Sequence, residues 1–102
     1  MVMTRAEILD TAKEYVTKDR AATHGEAENN FERTAALWNA YLAEGQMISA
    51  TDVAVMLTLL KVARIASNAC HSDNWVDAAG YMACGGEIAT RRSEALSEGV
   101  GD

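Results

Sequence analysis

The chain has 102 residues, 49% of them hydrophobic, and a formal net charge of −6 at pH 7 with a sequence pI near 4.8. This length fits one domain, and this hydrophobic content excludes a disordered chain. An acidic chain is a poor holder of a nucleic-acid backbone, so no nucleic-acid partner is expected, and so short a domain favours a homodimer or higher homo-oligomer.

Proline is absent, and no stretch alternates polar and apolar residues as a half-buried strand does. The pattern predicts an all-α protein. The first helix opens at "TRAE", where Thr4 caps and Glu7 completes a capping box. Ile8, Ala12, Tyr15 and Val16 then share a face down to about Asp19. "AATHGEAENN" breaks this pattern, with Gly25 in a polar cluster that suits a turn.

The second helix runs from about Glu26 or Asn30 to Ala43, with Phe31, Ala35, Trp38, Tyr41 and Leu42 as its apolar stripe. Gly45 is a plausible stop. Ser49 and Thr51 are candidate caps of the third helix, and Asp52 suits its first turn. From Val53 to Ala69 this helix is apolar almost all round. One face is Val53, Met56, Leu57, Leu60 and Ala63; a second is Val55, Leu59, Val62 and Ala66. Such a helix is central or meets a partner subunit.

The fourth helix starts near Ser72 or Asp73 and continues through "WVDAAGYMACGGEIATRRSEAL". Its glycines point to close helix packing or to a kink near Gly85 and Gly86. The whole reads as one helical domain over 1–96, an antiparallel bundle of about four helices, with 97–102 as a flexible tail.

Cys70 and Cys84 match no zinc-ligand spacing, and no CxxC occurs. There is no basic-then-apolar leader and no apolar run of about 18 residues, so neither a membrane partner nor a secretory route is expected. The reading is a cytoplasmic protein whose two reduced cysteines are buried as small hydrophobes.

Three polar groupings stand in apolar surroundings. On the third helix Thr58, Lys61, Arg64 and Asn68 lie on one stripe, and two cations one turn apart can hold phosphate oxygens. On the fourth, Asp73 and Asp77 are one turn apart, with Tyr81, Cys84 and Glu87 or Ile88 continuing the stripe. Paired carboxylates of this kind hold Mg²⁺. Equally, they can pair with Arg64 and Lys61 as structural salt bridges, or Asp73 can be a cap. The third grouping is His24, Gly25, Glu26, Glu28, Asn29, Asn30 and Glu32. It reads as a solvated first turn, or as the pair that completes a carboxylate site with Asp73 and Asp77. His71 is a loop histidine or a ligand. Trp75 and Trp38 are anchors, or one of them stacks on a base. No Walker A loop, GxGxxG, HExxH or nucleophile elbow is present.

The order "THGEAENNFERTAALWNAYL" then "TDVAVMLTLLKVARIASNACHSDNWVDAAGY" resembles a small phage- and prophage-encoded helical domain of unknown function. The resemblance covers about residues 7 to 89 and includes a D-x-W-x-D-x-A-G-Y motif. That domain is in turn distantly similar to the MazG-like all-α nucleoside triphosphate pyrophosphohydrolases, which use acidic residues of neighbouring helices to bind Mg²⁺. Their E-x-x-D motif puts its Asp on Asp77 and its Glu on Asn74, with Asp73 adjacent; their EExxE motif has no clean match, and Lys61 and Arg64 stand where it would fall.

The resemblance implies a nucleotide-binding phage protein in the bacterial host's cytoplasm, with a Mg²⁺-dependent pyrophosphohydrolase as its catalytic form. Asp73, Asp77 and Glu26 or Glu28 would then hold the metal, and Lys61 and Arg64 the phosphates. His24, Asn30, His71, Tyr81 or Trp75 would meet base or ribose. The alternatives are a non-catalytic protein that sequesters a host nucleotide signal and a purely structural interaction domain.

Overall fold

The computed structural model describes residues 2–19, 26–42, 45 and 47–100, apart from the side chains of 19, 26 and 95–100. Among these residues there is no strand. The helices are α1 (Arg5–Glu14), continued by a π-helical turn at Tyr15–Asp19, then α2 (Glu26–Leu42), α3 (Ala50–Ser67) and α4 (Ser72–Val100). None of the described helices is long and apolar enough to cross a membrane.

Two capping boxes start α1 and α3. Thr4 Oγ1 accepts from the Glu7 amide at 3.1 Å, and Glu7 Oε1 accepts from the Thr4 amide at 2.8 Å. Ser49 and Asp52 repeat the arrangement at 3.1 and 3.0 Å, so Ser49 rather than Thr51 is the cap. Each box satisfies two donors that a helix N-terminus otherwise leaves orphaned. Gly45 follows α2 with φ +111, a conformation that a Cβ disfavours.

The end of the first helix differs from expectation. Its last five residues form a π-helix, in which Tyr15 and Val16 both turn toward the same cavity. Such wide turns bring consecutive side chains closer to one face than an α-helix does.

α3 and α4 are joined by only four residues, 68–71, and pack together more extensively than any other described pair. Two contacts fix their antiparallel order: Ala54 meets Gly85 near the start of α3, and Lys61 meets Asp77 farther along it. A Cβ built on Gly85 would lie 2.8 Å from the Ala54 Cβ, so the glycine lets the two backbones approach. Of the two readings of this glycine, close packing or a kink, the structure shows close packing, and α4 stays helical straight through it. The helix runs on to Val100.

The core gathers Phe31 and Ala35 from α2, Ala50, Val53 and Ala54 from α3, and Ile88 from α4, with Trp38 packed against it. Val53 and Val76 are the largest fully buried side chains, each contributing about 1.5–3 kcal/mol by leaving water. Asn39 fastens the segment before α3: its amide donates to Ile48 O at 3.0 Å and accepts from Ile48 N at 2.9 Å.

Only part of α3 is covered. Val53 and Ala54 are buried, but the second apolar face is open, with Leu59 at 59% and Val62 at 51% exposure. Cys70 corrects another expectation: it sits exposed in the α3–α4 turn, because that turn runs over the surface.

Candidate functional site

Four elements surround a cavity of about 230 Å³. The π-helical turn brings Tyr15 and Val16, α2 brings Asn30 and Phe31, α3 brings Leu57, and α4 brings Asp77, Gly80, Tyr81 and Cys84. On α4, the spacing 77, 81, 84 puts three side chains on one stripe, as the sequence indicates. The Phe31 and Tyr81 rings are 6.4 Å apart between centroids and inclined at 51°. Aromatic rings, an amide and one carboxylate therefore share one small space.

Asp77 is held rather than free. Its Oδ2 lies 2.9 Å from Lys61 Nζ, and the two side chains are only 17% and 13% exposed. The α3–α4 salt bridge open as an alternative from the spacing is thus present for this pair. Arg64 does not join it: it is exposed, one turn farther along α3. Asp73 is exposed too, at the start of α4, while its neighbour Asn74 is buried.

Glu28 has cationic partners of its own. Arg91 Nη1 donates to its Oε1 at 3.0 Å and Arg92 Nη2 to its Oε2 at 3.2 Å. Arg92 also reaches Glu32 at 2.6 Å, and Arg91 reaches Glu87 at 2.9 Å. This network ties the start of α2 to the last third of α4. Nothing local in the sequence announces it, since the partners are 63 and 64 residues apart. The one available sign was the adjacent pair of arginines in "ATRRSE".

The remaining candidates divide. Tyr81 and Asn30 line the cavity, whereas Trp75 does not. The Trp75 indole donates to Ala69 O at 2.9 Å and lies beside Met3 and Ile8 in a separate surface hollow. His71 is exposed in the turn, where its carbonyl accepts from the Asn74 amide at 3.2 Å. His24 and the Glu26 side chain lie outside the described residues.

These positions bear on the expected Mg²⁺. Among the described residues no three His, Cys, Asp or Glu side chains converge as a metal site. Asp77 and Glu28 each face cations, and Asp73 faces solvent. The described carboxylates do not fit the oxygen cage or paired-carboxylate clamp that Mg²⁺ takes.

Cys84 in the cavity wall is a free thiol. Burial pushes it above the ordinary thiol range, and the Glu87 carboxylate adds to the effect. Both favour the neutral thiol, so Cys84 is a poor nucleophile at neutral pH.

Comparison with known proteins places this geometry in a family context. The family model described as a domain of unknown function, DUF6378, matches residues 7–89. The Gene 55 protein of Mycobacterium phage L5 is 49% identical over 74 residues, covering 72% of this chain and 47% of that protein. The Gene 55 protein of Mycobacterium phage D29 is 35% identical over 77 residues, covering 76% of this chain and 50% of that protein. The chain thus spans about half the length of the curated relatives it matches. No solved structure matches it.

Proposed function

The chain belongs to the DUF6378 family, a phage-type domain of unknown function, and we propose that it binds a nucleotide through its base in the cavity between the π-helical turn, α2, α3 and α4. The observation that carries this reading is the composition of the wall. Phe31, Tyr81 and Tyr15 offer aromatic surface, on which a base stacks for about 1–3 kcal/mol. Asn30 and the Asp77 carboxylate offer hydrogen bonds to a base edge or ribose. A volume of about 230 Å³ lies below the roughly 300–1,000 Å³ of drug-sized sites, so it suits one ring system and leaves the phosphates outside.

Binding without hydrolysis is the form favoured here. The MazG-like reading needs carboxylates that hold a metal. Lys61 neutralises Asp77, two arginines neutralise Glu28, and an amide, Asn74, stands at the Glu position of the E-x-x-D pattern. Sequestration of a nucleotide needs none of these as metal ligands. In this reading the protein works in the host cytoplasm, where free nucleotides are found. It does so as a homo-oligomer whose contact is the open face of α3, with Val55, Leu59 and Val62 meeting a second copy. Their i, i+4, i+7 spacing makes a continuous apolar strip that two copies can share about a two-fold axis.

Thermal shift with a panel of nucleosides, mono- and triphosphates, with and without Mg²⁺, tests the binding. A ligand at 100 times its Kd adds about 2.7 kcal/mol, which is on the order of 10 °C for a domain of this size. If no member of the panel moves the transition, the proposal fails. The same samples assayed for pyrophosphate separate the two forms: turnover restores the hydrolase reading, and stabilisation without turnover supports sequestration.

A further inference from the structure

We propose that Arg91 and Arg92 are the phosphate-binding pair of this site, and that Glu28 occupies them when no ligand is bound. This inference rests on the cavity being a nucleotide-base site. A cavity of about 230 Å³ that takes only a base must leave the sugar and phosphates at its rim. Ala27 of α2 lines the cavity, and Glu28 is the next residue. On α4, Arg91 lies seven residues past the wall residue Cys84, about 10 Å along the axis, and an arginine side chain reaches back over part of that distance. Glu28 adjoins the wall residue Ala27 and stands one turn before the wall residue Phe31, and it holds the two guanidinium groups at 3.0 and 3.2 Å; from this adjacency we set them beside the rim.

Chemistry favours exchange. Each guanidinium presents a planar fork of donors that matches a phosphate as well as a carboxylate. The two arginine side chains are 40% and 41% exposed, so a ligand can approach them from solvent. Their other carboxylate partners, Glu32 and Glu87, are 52% and 65% exposed and can swing into water at little cost. Glu28, at 22%, is the carboxylate a phosphate must displace. With Glu28, Glu32 and Glu87 all in place the cluster sums to −1, which repels an anion. When the phosphate replaces Glu28, the guanidinium donors keep an anionic partner throughout.

The probes are a nucleoside that binds, its triphosphate and inorganic tripolyphosphate, measured by calorimetry. For the protein as it stands, the triphosphate is expected to bind about tenfold tighter than the nucleoside, the equivalent of one charge-assisted contact. In R91Q/R92Q this ratio falls toward one. In R91K/R92K it falls part of the way, because charge is kept and the fork is lost. In E28Q the ratio rises, since the competing carboxylate has lost its charge. Circular dichroism confirms that each variant is folded, and the lysine pair decides if the glutamine pair is not. An unchanged ratio in the arginine variants overturns the inference and leaves base binding standing. If no nucleoside binds, the base-site reading falls, and tripolyphosphate alone decides: arginine-dependent binding keeps the arginine pair as an anion site, and no binding removes it.

Discussion

Asp77 Oδ2 lies 2.9 Å from Lys61 Nζ across the α3–α4 interface, with both side chains largely shielded from water. Removing one member strands the other as an uncompensated charge. Asp77→Asn is expected to cost about 2–4 kcal/mol in urea unfolding. Replacing both at once, by Lys61→Met with Asp77→Leu, is expected to be close to neutral, because neither charge is then left alone. A single Asp77→Asn variant that is as stable as the parent would show that the pair contributes nothing to stability and leave Asp77 to serve a ligand.

Two neighbouring glycines on α4 should respond in opposite directions to alanine. At Gly85 the new methyl would sit 2.8 Å from the Ala54 Cβ, forcing α3 and α4 apart. The expected cost is about 1–3 kcal/mol. At Gly86 nothing lies within 4 Å, so Gly86→Ala is expected to stabilise by up to about 1 kcal/mol through helix propensity alone. Thermal unfolding of the two variants checks the pair, and equal shifts would contradict the packing described.

The Asn39 amide makes both its hydrogen bonds to the backbone of Ile48, just ahead of the Ser49 cap. Asn39→Ala leaves a part-buried N–H and C=O without partners, at roughly 1–3 kcal/mol. Asn39→Asp keeps the acceptor and loses the donor, so it is expected to recover part of that loss at most. Hydrogen exchange at the Ile48 amide should speed up in the alanine variant and much less in the aspartate one.

The Cys84 thiol is predicted to ionise later than an ordinary thiol as pH rises. Cys84 is raised by burial first and by the Glu87 carboxylate second. Alkylation of Cys84 in a Cys70→Ser variant should therefore rise only at a higher pH in the folded protein than in the same variant unfolded in urea. The sign for stability follows. The folded state holds the Cys84 proton more tightly than the unfolded chain does. Its contribution is fully present below the ordinary thiol range and is lost as pH climbs through that range toward the raised folded value. Glu87→Gln should lower the alkylation midpoint slightly, since Glu87 is the smaller of the two causes.

Much of the architecture was legible in the residues. The helix start at Thr4 follows from Thr4 and Glu7 standing three positions apart, the α3 start is narrowed to Ser49 or Thr51, and the α4 stripe of Asp77, Tyr81 and Cys84 follows from the helical repeat. The π-helical turn was not legible, because "YVTKD" carries the same apolar spacing as an ordinary last turn. Trp75 was a candidate for base stacking, but its indole is drawn to the α3–α4 turn and away from the cavity. Arg91 and Arg92 do not stand out in the sequence, because a pair of cations near the end of a helix most often lies against solvent.

Sequence by itself determined an all-helical chain, the capping box at Thr4, its short α3–α4 turn and the residues that share a face of each helix, because these depend on neighbours within a turn or so of the backbone. Only the tertiary structure decided which charges meet. Lys61 could have taken Asp73 or Asp77, and Glu28 could have joined the aspartates of α4. The approach of α3 to α4 at Gly85 sets Lys61 against Asp77, and the contact of α2 with α4 gives Glu28 to the arginines. Such partners depend on where helices cross, and the periodicity of a single helix carries no record of that.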